Sequence, residues 1–188
     1  ETTDMNLLTF TDILKLRSRK GIEMLVIYLG VLQYGLLTKD ERAVQAAKRY
    51  WQQVNDTQIR NTGNGTVVEK WTKNGNAACF MPTESKPNET CVAVGWIELS
   101  LALFHVEQRA EYLDAIEKTV FNHMVGSLEK NGADLAYYQG NYGKKIYRTD
   151  EGAYQCCRYR GFTIFSYLKE YLYYVKGDLI IPMVYGNS

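Results

Sequence analysis

The chain lacks a marked excess of charge of either sign, since 22 lysines and arginines stand against 21 aspartates and glutamates. Without a net positive field, neither nucleic acid nor an anionic membrane is expected as a partner. The sequence also has no uninterrupted apolar run near the ~18 residues that a membrane-spanning helix requires. Together with an ordinary hydrophobic content of 46%, these absences predict a soluble globular protein of 188 residues.

Cysteine and histidine are also scarce. Four cysteines are too few for a disulfide scaffold, so reduced thiols are expected. Two of the four, Cys156 and Cys157, are adjacent, and adjacent cysteines can bond to each other only through a strained ring. The pair therefore indicates a metal site, a reactive thiol or two buried small side chains. The two histidines, His105 and His123, lie inside predicted helices, where we expect a packed or solvated histidine rather than a catalyst.

What the sequence does contain is helical periodicity. Apolar residues recur at three- and four-residue spacing between Ile22 and Leu37, which predicts a helix with one buried face. That face comprises Ile22, Leu25, Val26, Leu29, Leu32 and Leu36. Asp40 can cap a second helix, whose predicted buried stripe comprises Ala43, Ala47, Tyr50 and Val54. The hairpin pattern returns in residues 96–124, so the sequence predicts a mainly α protein built from helical hairpins.

The remaining segments are less regular. Residues 55–89 carry "NTGNGT", "NGNAAC" and "PTESKPNE", which are turn sequences, and a loop of this length is usually functional or disordered. "LEKNGADLAYYQ" reads as a turn leading into a short strand. "GFTIFSYLKEYLYYV", residues 161–175, reads as a helix, and "DLIIPMVYG", residues 178–186, alternates like a strand.

A set of four potential metal ligands stands out. Glu89 and Cys91, in "NETCVAVGW", lie at the start of the predicted helix that contains Trp96, and Cys156 and Cys157 supply two more donors. Three thiolates and one carboxylate suit tetrahedral zinc. The spacing alone is not a standard zinc signature, and buried free cysteines remain the alternative.

The segment from "ETCVAVGW" to "LAYYQGNYG", followed by "QCC", resembles the bacterial β-L-arabinofuranosidase family, glycoside hydrolase family 127, over residues 20–188. The resemblance implies part of an (α/α)6 barrel followed by β-sandwich domains. Residues 1–178 would then belong to the barrel catalytic domain. Residues 179–188 would be the start of a following β-domain or a terminal strand.

The same resemblance implies a chemistry, that of a retaining glycoside hydrolase acting on arabinofuranosides or related glycans. It implies zinc held by Glu89, Cys91, Cys156 and Cys157. Cys156 would be the nucleophile and Glu69, in "VVEKW", the acid/base, with Glu84 as the substitute. The implied sugar contacts are Tyr138, Tyr137 and Trp71.

Two departures from the family pattern leave the sugar and its linkage undefined. Lys20, in "RKGIEM", stands where family members have histidine, and Arg158 follows the cysteine pair where they have small residues or proline. Two alternatives stay open. The first is a non-catalytic helical domain with a structural zinc. The second is an incomplete, inactive fragment, since the sequence accounts for only about half of the helices that such a barrel needs; the fragment is expected to self-associate through the apolar flank of helix 22–37 or to lack part of its substrate pocket. A bacterial cytoplasmic or periplasmic location is expected, with the sequons at Asn55, Asn64 and Asn88 incidental.

Overall fold

The computed structural model describes residues 6–73, 75, 80–140, 142–147, 156–167 and 173–182. Its helices are α1 (Gly21–Thr38), α2 (Glu41–Thr57), α3 (Thr90–Glu107), α4 (Ala110–Lys118), α5 (Val125–Ser127) and α6 (Cys156–Tyr167), with a π-helical turn (Thr119–Met124) between α4 and α5 and 3-10 turns at Ile13–Lys15 and Thr83–Ser85. Two strands, β1 (Tyr173–Lys176) and β2 (Leu179–Pro182), pair antiparallel. The predicted mainly helical fold with short C-terminal strands is confirmed.

The first predicted hairpin is formed by α1 and α2, which pack against each other. Lys39 makes the turn with a left-handed φ of 58°, and the Asp40 carboxylate accepts a 3.0 Å hydrogen bond from the backbone N–H of Arg42. This bond satisfies one of the free donors at the start of α2. The predicted buried stripe of α2 is confirmed, since Ala43, Ala47, Tyr50 and Val54 are all buried.

The buried face of α1 differs in part from the prediction. Leu25 and Leu32 are buried as expected, but Val26 and Leu36 are 43% and 48% exposed. Tyr28 takes their place, because its ring stacks on Tyr50 of α2 at 4.0 Å between centroids. The face of α1 that contains Gly35 also packs closely against α2, since a Cβ at Gly35 would lie only 2.9 Å from Val44.

The exposed side of α1 therefore carries apolar side chains, and self-association through this flank stays a prediction. By length and composition alone, α1 and α3 could each cross a membrane. That criterion is also met by core helices of soluble proteins, and 67% of the tested window of α3 is buried inside the fold, against 33% for α1.

Helix α3 is the centre of the core. It packs against α1, α4 and α6, and it forms the second predicted hairpin with α4. Trp96 of α3 stacks on Trp51 of α2 at 5.0 Å, and the Trp51 indole N–H donates to the Ser100 hydroxyl. Because α3 contacts elements on several sides, its N-terminal end is fixed relative to both the preceding loop and α6.

The long loop after α2 lies close against the helices. A Cβ built on Gly65 would lie 1.7 Å from the backbone oxygen of Gln58, and one on Gly63, where φ is +77°, would lie 2.4 Å from Cα of Thr119. Both glycines therefore allow a backbone approach that no larger residue permits. This packing holds the loop where its side chains can form a defined site.

We expect Gly65→Ala to lower the free energy of unfolding by about 2 kcal/mol or more, because backbone atoms of Gln58 must move to admit the methyl group. Gly30→Ala is the matched control, since Gly30 lies inside α1 with open space around its Cα. That change should stabilise the protein by about 0.5–1 kcal/mol. Urea unfolding of both variants checks the pair, and equal stabilities would contradict the packing described for Gly65.

The C-terminal region departs from the sequence prediction. Helix α6 is described as far as Tyr167, and Tyr173–Lys176 is a strand, so the prediction of a helix through Val175 is wrong at its end. The reason is the two-residue turn at Gly177, where φ is +60°, which favours a hairpin between β-prone residues. The predicted domain boundary after residue 178 falls in this turn, and the division itself stays a prediction. Residues 183–188, the end of the predicted terminal strand, lie outside the described residues.

Candidate metal and active site

The N-terminal ends of α3 and α6 meet at a cluster of four side chains. Glu89 is the residue before α3, Cys91 lies in its first turn, and Cys156 and Cys157 begin α6. Their four donor atoms all lie within 4.8 Å of one another, so the group can hold a metal ion. The Sγ atom of Cys157 lies 3.3 Å from the backbone nitrogen of Cys91 and 3.7 Å from Oε1 of Glu89.

The cluster fits a cation by its burial as well as by its donors. Glu89, Cys91 and Cys157 are buried, whereas Cys156 is exposed. Oε2 of Glu89 is buried and has no hydrogen-bond partner among the described residues. A buried carboxylate oxygen without a partner is costly, and a coordinated cation removes that cost. Three sulfurs and one carboxylate are the donors that tetrahedral zinc accepts.

The acidic groups of the cluster differ in their ionisation. Burial, with the negative charges of Glu69 and Cys156, raises the pKa of Glu89 to about 8. Burial also raises the pKa of the Cys157 thiol. In contrast, hydrogen bonds from Cys157 and Cys91 lower the pKa of the Cys156 thiol. Ionisation is therefore favoured at the exposed Cys156 sulfur, and a thiolate is the nucleophilic form of cysteine.

Glu69 is fixed by three side chains beside this cluster. Its Oε1 accepts hydrogen bonds from the hydroxyls of Tyr138 at 2.5 Å and Tyr137 at 3.1 Å, and its Oε2 lies 3.4 Å from Nζ of Lys20. The Tyr137 hydroxyl also lies 3.7 Å from Sγ of Cys156. One hydroxyl group thus contacts both the carboxylate and the thiolate.

The backbone that presents Glu69 is strained. Val68 and Glu69 have φ angles of 47° and 66°, a left-handed conformation that is rare for a β-branched residue. The conformation is held by hydrogen bonds from Gly21 N to Glu69 O and from Val68 N to Lys86 O. Such strain costs about 1–3 kcal/mol per residue and clusters at functional sites. The strained turn directs the carboxylate towards Tyr137 and Tyr138.

Lys20 is one of the groups that lower the pKa of Glu69. Burial alone would raise the pKa of Glu69, but the hydrogen bonds from Tyr138 and Tyr137 and the Lys20 ammonium together hold that pKa below its ordinary value. Glu69 is therefore ionised in the free chain. The sequence marked Lys20 only as a changed residue, because nothing in the pattern pairs it with a carboxylate far along the chain.

Two predicted residues lie elsewhere. Trp71 is 1% exposed and its indole N–H donates to the hydroxyl of Tyr50, so the prediction that it contacts the sugar is corrected. It supports the Glu69 turn from the core. Glu84, the substitute acid/base, is exposed beside Gly143, and no contact described here joins it to the cluster.

Sequence reasoning missed the residues that hold the backbone of Glu89. The Asn64 side-chain amide donates to the carbonyl of Glu89 at 2.7 Å, and the Thr66 hydroxyl accepts from its N–H at 3.2 Å. Asn88 adopts a φ of 54° and donates to the carbonyl of Gln139. Asn64 and Asn88 are buried, so in the folded chain neither sequon is accessible for glycosylation. Asparagine in turn sequences was the only available signal for this role.

Comparison with known proteins finds similarity to β-L-arabinofuranosidases. A family model described as the β-L-arabinofuranosidase GH127 catalytic domain matches residues 11–170. A non-reducing end β-L-arabinofuranosidase from Bifidobacterium longum subsp. longum is 26% identical over 111 residues, which is 57% of this chain and 16% of the relative. The chain therefore spans a small part of that protein.

Solved structures show the same fold. A GH127 β-L-arabinofuranosidase from Geobacillus stearothermophilus T6 superposes with a TM-score of 0.68 at 17% identity, covering 88% of this chain and 28% of that one. A second GH127 β-arabinofuranosidase gives 0.71 at 24% identity, covering 88% and 26%. These neighbours are (α/α)6-barrel proteins, which confirms the predicted fold class as part of such a barrel.

Proposed function

The chain belongs to the β-L-arabinofuranosidase GH127 catalytic-domain family, a family of glycoside hydrolases, and from that premise we propose that it carries the nucleophile and the acid/base of a retaining glycosidase. The substrate class would be arabinofuranosides or related glycans. One observation carries the proposal: the Tyr137 hydroxyl lies against both the thiolate-forming Cys156 and the carboxylate of Glu69.

The proposed metal site is formed by Glu89, Cys91, Cys156 and Cys157. Bound zinc would keep the cysteine sulfurs deprotonated by supplying positive charge at the cluster. Cys91, Cys157 and Glu89 are buried and hold fixed positions, which leaves the exposed Cys156 as the sulfur that a sugar can reach.

In the first step, Sγ of Cys156 forms a bond to the anomeric carbon while the glycosidic carbon–oxygen bond breaks, and the Glu69 carboxyl gives its proton to the departing oxygen. In the second step, the Glu69 carboxylate takes a proton from water. The water oxygen then bonds to the anomeric carbon as the carbon–sulfur bond breaks, and the thiolate is restored. Two inversions give net retention of configuration.

Tyr137 and Tyr138 have a supporting role in this scheme. Their hydroxyls hold the carboxylate of Glu69 on the same side of the cluster as Cys156. The proposed sugar contacts are the same two residues, and both are buried with their hydroxyls bonded to Glu69. They therefore position the acid/base more than they provide a stacking surface.

The experiment that tests the proposal uses Glu69→Gln. The glutamine oxygen can still accept from the Tyr137 and Tyr138 hydroxyls, but the amide cannot transfer a proton, so hydrolysis of alkyl-type leaving groups should slow by about 10²–10⁴-fold. Hydrolysis of activated aryl arabinofuranosides, whose leaving groups need little protonation, should slow much less in the first step. Glu84→Gln is the matched control and should change neither rate. Equal losses on both substrates would show that Glu69 is not the acid.

Lys20 sets the pH range of this step. Glu69 must be protonated to act as the acid, and Lys20 lowers its pKa, so Lys20→Met should raise that pKa. The fall of kcat/KM with rising pH should then begin at higher pH for alkyl leaving groups and stay unchanged for activated aryl ones. Lys73→Met is the control, because Lys73 is an exposed lysine in the loop that also contains Glu69. An identical pH profile for Lys20→Met would contradict the assigned coupling.

A structural zinc site without catalysis is the second candidate, and the burial of Glu89, Cys91 and Cys157 favours it. The two candidates differ at Cys156. A purely structural site predicts no preferential alkylation of this sulfur by a haloacetyl sugar, whereas the glycosidase predicts alkylation of Cys156 before any other cysteine. Because the chain spans less than a third of the solved relatives, hydrolysis by these 188 residues alone is part of what is proposed.

A further inference from the structure

His123 lies in the π-helical turn between α4 and α5, fully buried. Its Nε2 atom is 3.0 Å from Oγ1 of Thr90, and that hydroxyl donates its proton to the carbonyl of Ala136 at 2.6 Å. A threonine hydroxyl has one proton, so its oxygen must accept the second bond from a protonated Nε2 of His123. The neighbours of Thr90 thereby fix the tautomer of His123.

His123 is neutral in this environment. Burial, with a smaller effect from the Lys145 charge, lowers the pKa of His123 to about 3. The Nδ1 atom has no hydrogen-bond partner in the described part of the chain. The side chain therefore acts as a constant hydrogen-bond donor to Thr90 and not as a proton carrier in the reaction.

Thr90 connects three segments at the cluster. It lies between Glu89 and Cys91, its N–H donates to the carbonyl of Tyr137 at 3.0 Å, and its hydroxyl contacts His123. Its methyl group lies 3.4 Å from the position that a Cβ on Gly161 would occupy, so α6 packs directly against it. One side chain therefore touches the turn of His123, the Tyr137 segment and the helix that begins with the cysteine pair.

We propose that His123 is a positioning residue that acts through Thr90 to hold Glu89 and Cys91 in register with Cys156 and Cys157. With the Thr90 rotamer fixed from two sides, the first turn of α3 cannot rotate relative to α6. All four donor atoms then face one point. This inference rests on the proposed function, since it concerns the metal cluster of that site.

The test compares His123→Leu with His123→Gln. Leucine removes the donor to Thr90, whereas the glutamine amide can place an N–H near the position of Nε2. Zinc affinity is measured by chelator competition and thiol reactivity by iodoacetamide labelling of Cys156, with thermal unfolding as the folding control. Loss of an outer-shell partner typically weakens metal binding by ~10–100-fold. We expect that loss for His123→Leu, near wild-type affinity for His123→Gln, and no change for the exposed His105→Leu.

A double-mutant cycle with Thr90→Val separates positioning from general packing. If His123 acts through Thr90, the double variant should lose no more zinc affinity than the weaker-binding single variant. Additive losses, or wild-type affinity in His123→Leu, would overturn the inference. If His123→Leu does not fold, Thr90→Val against Thr90→Ser gives the same comparison, because serine keeps the hydroxyl; equal zinc affinity in these two variants would overturn it. A wild-type chain that binds no zinc would instead refute the proposed function.

Discussion

Replacing Cys156 by alanine is expected to lower kcat for arabinofuranoside hydrolysis by at least about 10⁴-fold, because removal of a nucleophile leaves only the weak catalysis of binding and electrostatics. The exposed Cys156 sulfur lies 3.7 Å from the Tyr137 hydroxyl, which also donates to the Glu69 carboxylate, so the substitution removes the group that would attack the sugar beside the acid/base. The variant should also lose rapid labelling by iodoacetamide, since Cys156 is the described cysteine that is exposed, and hydrogen bonds from Cys157 and Cys91 lower the pKa of its thiol.

Both readouts are best taken in a Cys79→Ser background. Cys79 lies outside the described residues and would add a thiol of its own. The Cys79→Ser single variant should hydrolyse and label like the wild-type chain. A Cys156→Ala variant that keeps substantial activity, or that still labels rapidly, would show that the nucleophile is another group.

Replacing Cys157 by serine should weaken zinc binding by about 100-fold or more. The alcohol of serine does not ionise as the zinc-bound thiol does, and Cys157 is the ligand that contacts both partners from α3, through Cys91 N and Glu89 Oε1. Removal of the metal also leaves the Glu89 carboxyl buried with an unpartnered oxygen. The melting temperature should therefore fall in the variant.

Chelation gives the matching result without mutation. A strong chelator should lower the melting temperature of the wild-type chain, because a ligand that binds only the folded state stabilises it by mass action. The same chelator should have little further effect on Cys157→Ser. A wild-type melting temperature that does not respond to chelation would contradict a metal-dependent cluster.

Local signals in the sequence predicted the helices well. The spacing of apolar residues gave both hairpins, and the cap at Asp40 follows from its side-chain chemistry. The α1 face was predicted less well, because the stacking of Tyr28 on Tyr50 and the close contact at Gly35 depend on a partner helix that periodicity does not describe. Trp71 was misplaced for the same reason, since its hydrogen bond to Tyr50 crosses the core.

The site could be predicted only in part. Glu89, Cys91, Cys156 and Cys157 could be grouped as potential zinc ligands by their donor types. Spacing alone does not bring such distant segments together, and the family resemblance supported the grouping. The left-handed turn at Val68 and Glu69 carries no glycine signal. The Lys20–Glu69 ion pair and the His123–Thr90 hydrogen bond join residues far apart in the chain. A lysine or a histidine in the sequence does not indicate which distant residue it will contact.

X-ray absorption spectroscopy at the zinc edge, together with the metal content of the purified chain, tests the central claim most directly. The account predicts one zinc per chain with three sulfur ligands at ~2.3 Å and one oxygen ligand at ~2.0–2.2 Å, supplied by Cys91, Cys156, Cys157 and Glu89. Loss of one sulfur from that shell in Cys157→Ser should accompany the loss of affinity. A chain that takes up no zinc, or a shell of nitrogen and oxygen without sulfur, would contradict it.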